Sequence, residues 1–475
     1  MNHYKKYNLS LILLLFFSSM FLIISFWEYN NYKIMMVVLL VYFVICFFLS
    51  FSFGIFNLYQ IFLLTTFYFL LGRTILDLLG YCDIRLATLV ITKQISDTVM
   101  IETFKIILVF LTGITSGFVA IKLCKHKDAI FWFAKKRKCY LLKYYKILFY
   151  IYTTLSFFKM LIFVRLCIEY GYKDAIFGGI IDEYPYPFFL IGVNTISFFL
   201  YLLVIFYDRS KKNFIVCSGL TMFIALINMF TGQRGPAMLK MVMILWIWGT
   251  FYKKLGVKIL LLGMVGLISF TQFFLWFRRI FIGVVSHNRF NPLVQSLYDT
   301  SVSIYVISFL LEYKEKLANK VPFFLGYVTD LFTELGNNQN MKRINNGNYL
   351  GDHLTYTLNS NVFLTNGNSG TSIYAEAIDL VSNNLLLLFL FSFFLIICIY
   401  LIYCQMYRVF PLFIVAYFTL SRFYYSPRDS IGKVLKDIFI PITMGLVIYF
   451  LEMYLNSKYS KFYKKYNNEV NNEIK

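Results

Sequence analysis

The sequence predicts an all-α protein that crosses a membrane many times. Of its 475 residues, 59% are hydrophobic, 20% are aromatic and only 15% are charged. A soluble domain carries about 25% charged residues, and one folded core could not bury so much Phe, Leu and Ile. Lipid must therefore solvate most of the chain. This composition excludes a soluble enzyme, a secreted disulfide scaffold and a disordered chain.

Twelve apolar segments have the length of about 20 residues that a helix needs to cross the hydrocarbon core. The first of them lacks the small-residue cleavage site of a signal peptide, so we expect it to be retained. A turn around Gly54 and Asn57 separates the second segment from the third. The predicted spans are 9–27, 34–53, 55–72, 104–121, 147–168, 188–207, 214–230, 237–252, 259–277, 385–403, 409–425 and 433–455.

The net charge of +21 indicates topology rather than a nucleic-acid partner, because the basic residues lie largely in short loops. Residues 122–146 hold nine basic side chains and one acidic side chain. Other basic segments are the loops at 209–212 and 253–258 and the tail from 458 onward. A chain with twelve spans would have all of these basic segments on one side of the membrane. The positive-inside rule then predicts that both termini are cytoplasmic.

One loop on the opposite side is far longer than the others. We expect residues 1–277 to form a bundle of about nine spans, 278–384 a large loop outside the cytoplasm, and 385–475 three spans and a basic cytoplasmic tail. The loop has 107 residues, and its apolar stretches at 293–311 and 321–335 are expected to lie on the membrane face. A loop of this length usually has a function.

Neither a cofactor nor a metal is predicted. The eight cysteines show no paired spacing, so the sequence contains neither a disulfide framework nor a zinc motif. Acidic residues are not clustered as a divalent cation would require.

Cations within the predicted spans, or at their outer ends, are candidates for binding an anion, because a charge in the bilayer is costly. We expect an electropositive cavity that opens to the outside and suits phosphate. The alternative is that single side chains extend to the headgroups. Arg73 and Asp77 are expected to form an i,i+4 pair. The candidate ligands are Lys159, Arg165, Arg234, Lys240, Arg278, Arg279, Arg422 and Arg428.

The segment Thr-Gly-Gln-Arg-Gly-Pro at 231–236 is the sharpest local motif. Pro236 suits the first turn of the following span, where its missing N–H is no loss. The free N–H groups of that helix end, together with the guanidinium of Arg234, would bind a phosphate. The alternative is a tight hairpin whose Arg234 side chain lies among lipid headgroups.

The large loop contains the expected general base, His353, and a reserve candidate, Glu376. His353 follows Asp352 directly, and a carboxylate that orients an imidazole can make it a base. The alternative for His353 is an ordinary solvated side chain. Glu376 lies one turn into a helix that follows a Gly/Asn-rich loop, with Thr371 or Ser372 as its N-cap. Glu376 is either a second carboxylate of the site or a residue that matches the helix dipole.

These motifs together resemble those of the O-antigen and capsule repeat-unit polymerases, the Wzy family. The resemblance covers roughly residues 225–435 and rests on the 231–236 motif, Asp-His-Leu-Thr-Tyr at 352–356, and Gly-Thr-Ser-Ile-Tyr-Ala-Glu at 370–376. The Ser-Pro-Arg-Asp-Ser segment at 426–430 also matches the Arg-containing turn of that family. The resemblance implies a GT-C-like membrane glycosyltransferase without a metal, in the bacterial cytoplasmic membrane.

The implied reaction transfers a growing glycan from undecaprenyl diphosphate to a sugar hydroxyl of a lipid-linked repeat unit. The implied partners are these lipid-linked oligosaccharides, membrane lipid and a chain-length regulator protein. Two alternatives stay open at this point. A flippase for the same lipids usually has two related halves and short loops, whereas an O-antigen ligase shares the donor and differs in its acceptor.

Overall fold

A computed structural model gives the architecture of the chain. It describes residues 2–53, 57–124, 139, 141–171, 180, 184–208, 210–230, 234–252, 256, 266, 269, 290–317, 321–330, 340–365 and 367–473. The predicted span 259–277 and the candidate ligands Arg278 and Arg279 fall outside these residues. Of Arg234, the backbone alone is described.

Helices dominate the first half of the described chain, as the composition predicts. A π-helical turn, Phe67–Leu71, joins the third helix to the fourth. One short hairpin interrupts the helices, with strands β1 (Leu86–Thr88) and β2 (Thr92–Gln94) paired antiparallel. The helices are α1 (Asn2–Ser25), α2 (Tyr32–Ser50), α3 (Leu58–Thr66), α4 (Gly72–Leu78), α5 (Asp97–Leu123), α6 (Leu142–Tyr170), α7 (Val193–Tyr207), α8 (Lys211–Phe230) and α9 (Arg234–Phe251).

The second half of the described chain begins with short helices and ends with three long ones. The short helices are those that position the site described below. They are α10 (Pro292–Thr300), α11 (Ile304–Tyr313), α12 (Gly326–Asp330), α13 (Met341–Asn346), α14 (Leu350–Leu358), α15 (Ser360–Leu364) and α16 (Ile373–Leu380), followed by α17 (Leu385–Gln405), α18 (Phe410–Tyr425) and α19 (Val434–Glu473).

Eight segments of the described chain are long and apolar enough to cross a membrane. Seven of them overlap predicted spans, and the all-α membrane fold is therefore confirmed. The predicted spans at 188–207, 214–230, 237–252 and 409–425 are also helical, as α7, α8, α9 and α18. The total of twelve and the GT-C-like architecture stay predictions. The seven overlapping segments are Asn8–Ser25, Tyr32–Phe53, Leu58–Leu78, Asp97–Leu123, Leu142–Tyr170, Leu385–Gln405 and Ile431–Leu455.

The eighth segment, Val294–Lys316, lies within the predicted large loop. A helix on the membrane face has one apolar side and one wet side, yet every residue from Ile304 to Leu310 is buried. Ser308 bonds to Thr103 of α5 at 2.9 Å. This apolar stretch is therefore an internal element of the bundle, because neighbouring helices cover it on all sides.

Helix α5 is the central helix of the described bundle, with 18 of its 27 residues buried. Its Gly113 and Gly117 face α17, one turn apart. A Cβ added to Gly117 would lie 2.5 Å from the carbonyl oxygen of Phe393, and one added to Gly113 would lie 2.5 Å from that of Phe389. Small residues at such spacing allow the backbones of two membrane helices to approach closely.

Replacing Gly117 with Leu is expected to destabilise the bundle by about 3 kcal/mol, because the new side chain meets the α17 backbone, which cannot rotate away. Thermal unfolding in detergent measures the effect. Gly219→Leu is the matched control, since this glycine of α8 is exposed and a Cβ on it meets nothing within 4 Å. An equal loss of stability in both variants would contradict the close α5–α17 contact.

Arg73 of α4 anchors the β-hairpin and α11 to the bundle. Its Nε donates to the carbonyl oxygen of Tyr298 at 2.7 Å, and its Nη1 donates to Thr88 and Tyr305 at 2.9 and 3.1 Å. The predicted pair with Asp77 is not formed, since Asp77 accepts from a backbone N–H instead. In the folded chain, Arg73 is surrounded by neutral hydrogen-bond acceptors, and its guanidinium lies 3.8 Å from the centre of the Tyr298 ring. The spacing of residues in the sequence does not reveal these partners.

Candidate active site

The carboxylate of Glu376 lies at the junction of two segments that are distant in sequence. Its Oε1 accepts a hydrogen bond from Thr371 at 2.9 Å, and its Oε2 accepts one from Ser430 at 2.6 Å. The backbone N–H of Ile373 donates to the carbonyl oxygen of Ser426 at 2.9 Å, which ties the start of α16 to the 426–430 turn. Glu376 is fully buried.

The N-terminus of α16 is built as the Gly/Asn-rich loop predicts. Gly370 has a positive φ of 74°, and Ser372 is the N-cap residue in extended conformation. The hydroxyl of Ser372 makes no capping bond and is buried without a hydrogen-bond partner in the described residues. An unsatisfied donor one turn from Glu376 is a position where a substrate oxygen would gain a bond.

Burial raises the pKa of Glu376 to about 8, and the nearby charge of Asp429 also raises it. The hydrogen bonds from Ser430 and Thr371 and the charge of Lys433 lower it, but burial has the larger effect. A carboxyl with this pKa is mostly protonated at pH 7 and exchanges its proton near neutral pH. Such a shift is typical of groups that transfer protons.

Two cations and two carboxylates form a cluster beside Glu376. Asp429 accepts from Lys433 at 2.6 Å and from Arg422 at 3.0 Å, and Arg422 also pairs with Asp437. Lys433 lies 3.5 Å from the hydroxyl of Tyr349, just before α14. The sequence reasoning included Arg422 and missed Lys433, although its i,i+4 spacing from Asp429 would have been a usable signal.

Arg428 lies at the edge of the same turn. Its Nη1 donates to the carbonyl oxygen of Thr300 at 3.2 Å, and its guanidinium lies 5.7 Å from the centre of the Phe69 ring. No carboxylate of the described residues pairs with Arg428. Its charge is therefore available to an anionic ligand.

The 231–236 motif reaches this turn through Gly235. A Cβ on Gly235 would lie 2.3 Å from the hydroxyl oxygen of Tyr425, at the end of α18. Glycine leaves room here for the end of the Tyr425 side chain. Pro236 lies in the first turn of α9, as predicted. The backbone of Arg234 therefore begins α9 beside the turn that carries Arg428.

His353 and Asp352 do not form the predicted pair. Asp352 accepts from Arg343 at 2.7 Å and from Asn368 at 2.8 Å, whereas the His353 Nε2 lies 2.9 Å from the carbonyl oxygen of Gly347. Adjacent residues of a helix point in different directions, which explains why the carboxylate does not reach the imidazole. Burial raises the pKa of Asp352. His353 is itself only 3% exposed.

The remaining predicted ligands lie in separate places, so the described residues do not form one electropositive cavity. Lys159 donates to the carbonyl oxygen of Leu190 at 3.1 Å. Arg165 is 76% exposed at the side chain and pairs with Glu169, four residues later. Lys240 lies inside the bundle, over the Phe198 ring at 5.0 Å. Local acceptors and a local carboxylate thus account for Lys159 and Arg165.

The family model described as O-antigen polysaccharide polymerase Wzy matches residues 8–459. This chain belongs to the Wzy family. Neither the curated proteins nor the solved structures contain a match. The match extends far beyond the region where the motifs resemble the family, and it includes the first helices of the bundle.

Membership of the Wzy family shows that the chain is a membrane glycosyltransferase-type polymerase of O-antigen synthesis. Enzymes of this family act on lipid-linked oligosaccharide repeat units. In this Wzy chain, the 370–376 and 426–430 motifs meet at Glu376, and Gly235 lies against Tyr425 just before the second of them, although about 50 to 200 residues separate these positions in the sequence. The large membrane-spanning fold agrees with a substrate that carries a lipid.

Proposed function

We propose that this enzyme polymerises oligosaccharide repeat units linked to undecaprenyl diphosphate, on the outer side of the bacterial cytoplasmic membrane. The single observation that supports the proposal is the meeting of a buried carboxyl, Glu376, with Arg422, Arg428 and Lys433 at the junction of the family motifs. A base beside a set of cations is what transfer from a diphosphate needs.

In the proposed reaction, the Glu376 carboxylate takes the proton of an acceptor sugar hydroxyl. The acceptor oxygen then bonds to the anomeric carbon of the donor glycan, and the bond from that carbon to the diphosphate breaks. The diphosphate leaves with its electron pair. The cations Arg428, Arg422, Lys433 and Arg234 neutralise it in place of a metal.

Glu376 is closed to solvent, so the acceptor must displace the hydroxyls of Thr371 and Ser430 from part of the carboxylate. Hydrogen bonds of an empty site often rearrange when the substrate binds. Ser372, whose hydroxyl has no partner, is positioned to bond to the incoming sugar. The alternative base is His353, because donation from Nε2 to the Gly347 carbonyl oxygen leaves Nδ1 unprotonated in the neutral ring.

Family membership favours the polymerase over the flippase and the ligase. We further propose that the sugar transferred is a hexose, that both termini are cytoplasmic and that a chain-length regulator binds the enzyme. Lys159 and Arg165 stay in the proposal as candidate ligands of the lipid diphosphate. Arg278 and Arg279, which lie outside the described residues, stay in the proposal as further ligands of the diphosphate.

Labelling of single cysteines tests the orientation. In a variant without the native cysteines, Cys at positions 130 and 211 is expected to resist an impermeant thiol reagent in whole cells, whereas Cys at 340 should react. The positive-inside rule is the reason for this expectation. Labelling at position 130 would reverse the orientation and place Glu376 on the cytoplasmic side.

Arg234 is expected to bind the diphosphate. In a deletion strain that displays single repeat units, Arg234→Ala should fail to restore the polysaccharide ladder, while Arg234→Lys should restore it partly. Lysine keeps the charge and loses the planar fork. Arg85 on the β-hairpin pairs with Asp83 and Asp97, and Arg85→Ala is therefore the control. A full ladder from Arg234→Ala at matched protein level would show that Arg234 only forms the turn and does not bind the diphosphate.

A further inference from the structure

A second polar site lies inside the bundle, between α6, α7, α8 and α9. It is a cavity of about 90 Å³, which is room for one phosphoryl group or about three water molecules. Its polar lining comes from Ser156, Asn194, Ser197, Thr221 and Lys240. None of the residues that contact Glu376 lines this cavity.

The ammonium group of Lys240 has no carboxylate partner among the described residues. Its nearest charged or aromatic contact there is the ring of Phe198 at 5.0 Å. An unpaired cation within a membrane-spanning segment is costly, and such residues mark sites for ligands. An anion bound in this cavity would pair with Lys240.

The other lining groups also favour an anion. Ser156 donates to Asn194 at 2.5 Å, and Ser197 bonds to Thr153 at 3.0 Å, so these hydroxyls are satisfied. The amide NH₂ of Asn194 and the hydroxyl of Thr221 belong to residues that line the cavity. Both are donors, and no acidic side chain lines the cavity.

The cavity is separate from the Glu376 site, and α9 and α18 extend from one towards the other. Phe198 packs on Tyr417 and Phe418 of α18, with ring centres 5.6 and 6.4 Å apart. Tyr425, which contacts Gly235 next to the Glu376 site, follows Phe418 by seven residues. That distance along a helix is about 10 Å.

We infer that this cavity binds a phosphoryl group of the acceptor's lipid diphosphate. The inference rests on the proposed function, in which both substrates carry a diphosphate. The donor's diphosphate is bonded to the reacting carbon and must lie beside the base. The acceptor's diphosphate is attached at the opposite end of its repeat unit from the reacting hydroxyl, so a second anion site must lie apart from the first.

The test compares two acceptors in reconstituted membranes, one repeat unit on a polyprenyl diphosphate and the same repeat unit as an alkyl glycoside. Lys240→Gln should raise the KM for the diphosphate acceptor at least tenfold, because a charge-assisted hydrogen bond is lost. With the alkyl glycoside, wild type and Lys240→Gln should be equal. Lys240→Arg should keep most of the affinity, and the exposed Lys436→Gln is the matched control.

Equal losses with both acceptors, or no loss with either, would overturn the inference. A free anion is the other possible occupant, and inorganic diphosphate is the probe for it. If inorganic diphosphate protects wild type but not Lys240→Gln from thermal unfolding, while both acceptors have unchanged KM, the cavity holds a free anion and the acceptor role is wrong. Full activity of Glu376→Gln would instead overturn Glu376 as the base, whatever Lys240→Gln does. If the wild-type enzyme extends neither acceptor, the proposed function is wrong.

Discussion

Glu376→Gln is expected to lower the rate of polymerisation by a factor of about 10² to 10⁴, the usual effect of removing a general base. Gln has nearly the same shape and still accepts a hydrogen bond from Thr371 or Ser430, so the fold should be kept. The measurement is the ladder of surface polysaccharide in a deletion strain at matched protein level, followed by the rate in reconstituted membranes.

The matched control for this variant is Asp379→Asn on the same helix. The Asp379 carboxylate accepts from the backbone N–H of Phe323 at 3.0 Å and lies outside the proposed site. Polymerisation by Asp379→Asn should stay within a few fold of wild type. If His353→Ala loses the ladder and Glu376→Gln keeps it, the imidazole is the base.

The pKa of Glu376 also predicts how rate and stability depend on pH. The base acts as a carboxylate, so the rate should rise about tenfold per pH unit up to about pH 8 and then level off. Stability changes in the opposite sense. Because the pKa is raised on folding, the contribution of Glu376 is complete below its ordinary value of 4.5 and is lost as pH rises through about 8.

Unfolding of Glu376→Gln should therefore depend less on pH than unfolding of wild type, and the variant should be the more stable protein at pH 9. The rate profile and the unfolding profile are separate measurements. A wild-type rate that stays flat between pH 6 and 9 would contradict Glu376 as the base, even if the variant is inactive.

Local features of this protein follow from its sequence because short-range physics determines them. Pro236 in the first turn of α9 and Ser372 at the start of α16 are two examples. The length of apolar segments likewise predicts the long helices. The predicted stretch at 293–311 is helical, but its burial depends on α5, which lies about 200 residues earlier in the sequence.

The composition of the site could be predicted only in part. The motifs indicate Glu376, Arg422 and Arg428 as site residues, but they do not show with which side chains these residues pair. The ion pairs themselves lie within residues 422–437. Their position beside Glu376 depends on how α16 packs against the 426–433 turn, and this is a long-range contact. The i,i+4 spacing of Asp429 and Lys433 indicates their pairing, but only the packing of α16 shows that Lys433 belongs to the site. Sequence adjacency predicts the Asp352–His353 pair, because adjacency is visible in a sequence while side-chain direction is not.

Asp429→Asn is expected to cost about 3 kcal/mol of stability and most of the activity. Its carboxylate is 11% exposed and holds both Arg422 and Lys433. Removing one partner of a buried ion pair is strongly destabilising because the remaining charge is uncompensated. Here two cations would be left facing each other beside Glu376. Thermal unfolding and the polymerisation rate measure the two effects.

Asp437→Asn is the control, since this carboxylate is 29% exposed and pairs with Arg422 alone. It should cost about 1 kcal/mol or less, as exposed ion pairs do. The double variant Asp429→Asn with Lys433→Gln separates charge balance from catalysis. Removing the second charge should restore part of the stability, because the two changes are coupled. Activity should not return, because Lys433 is proposed to neutralise the leaving diphosphate. Recovery of both properties would show that the Asp429–Lys433 pair serves the fold alone.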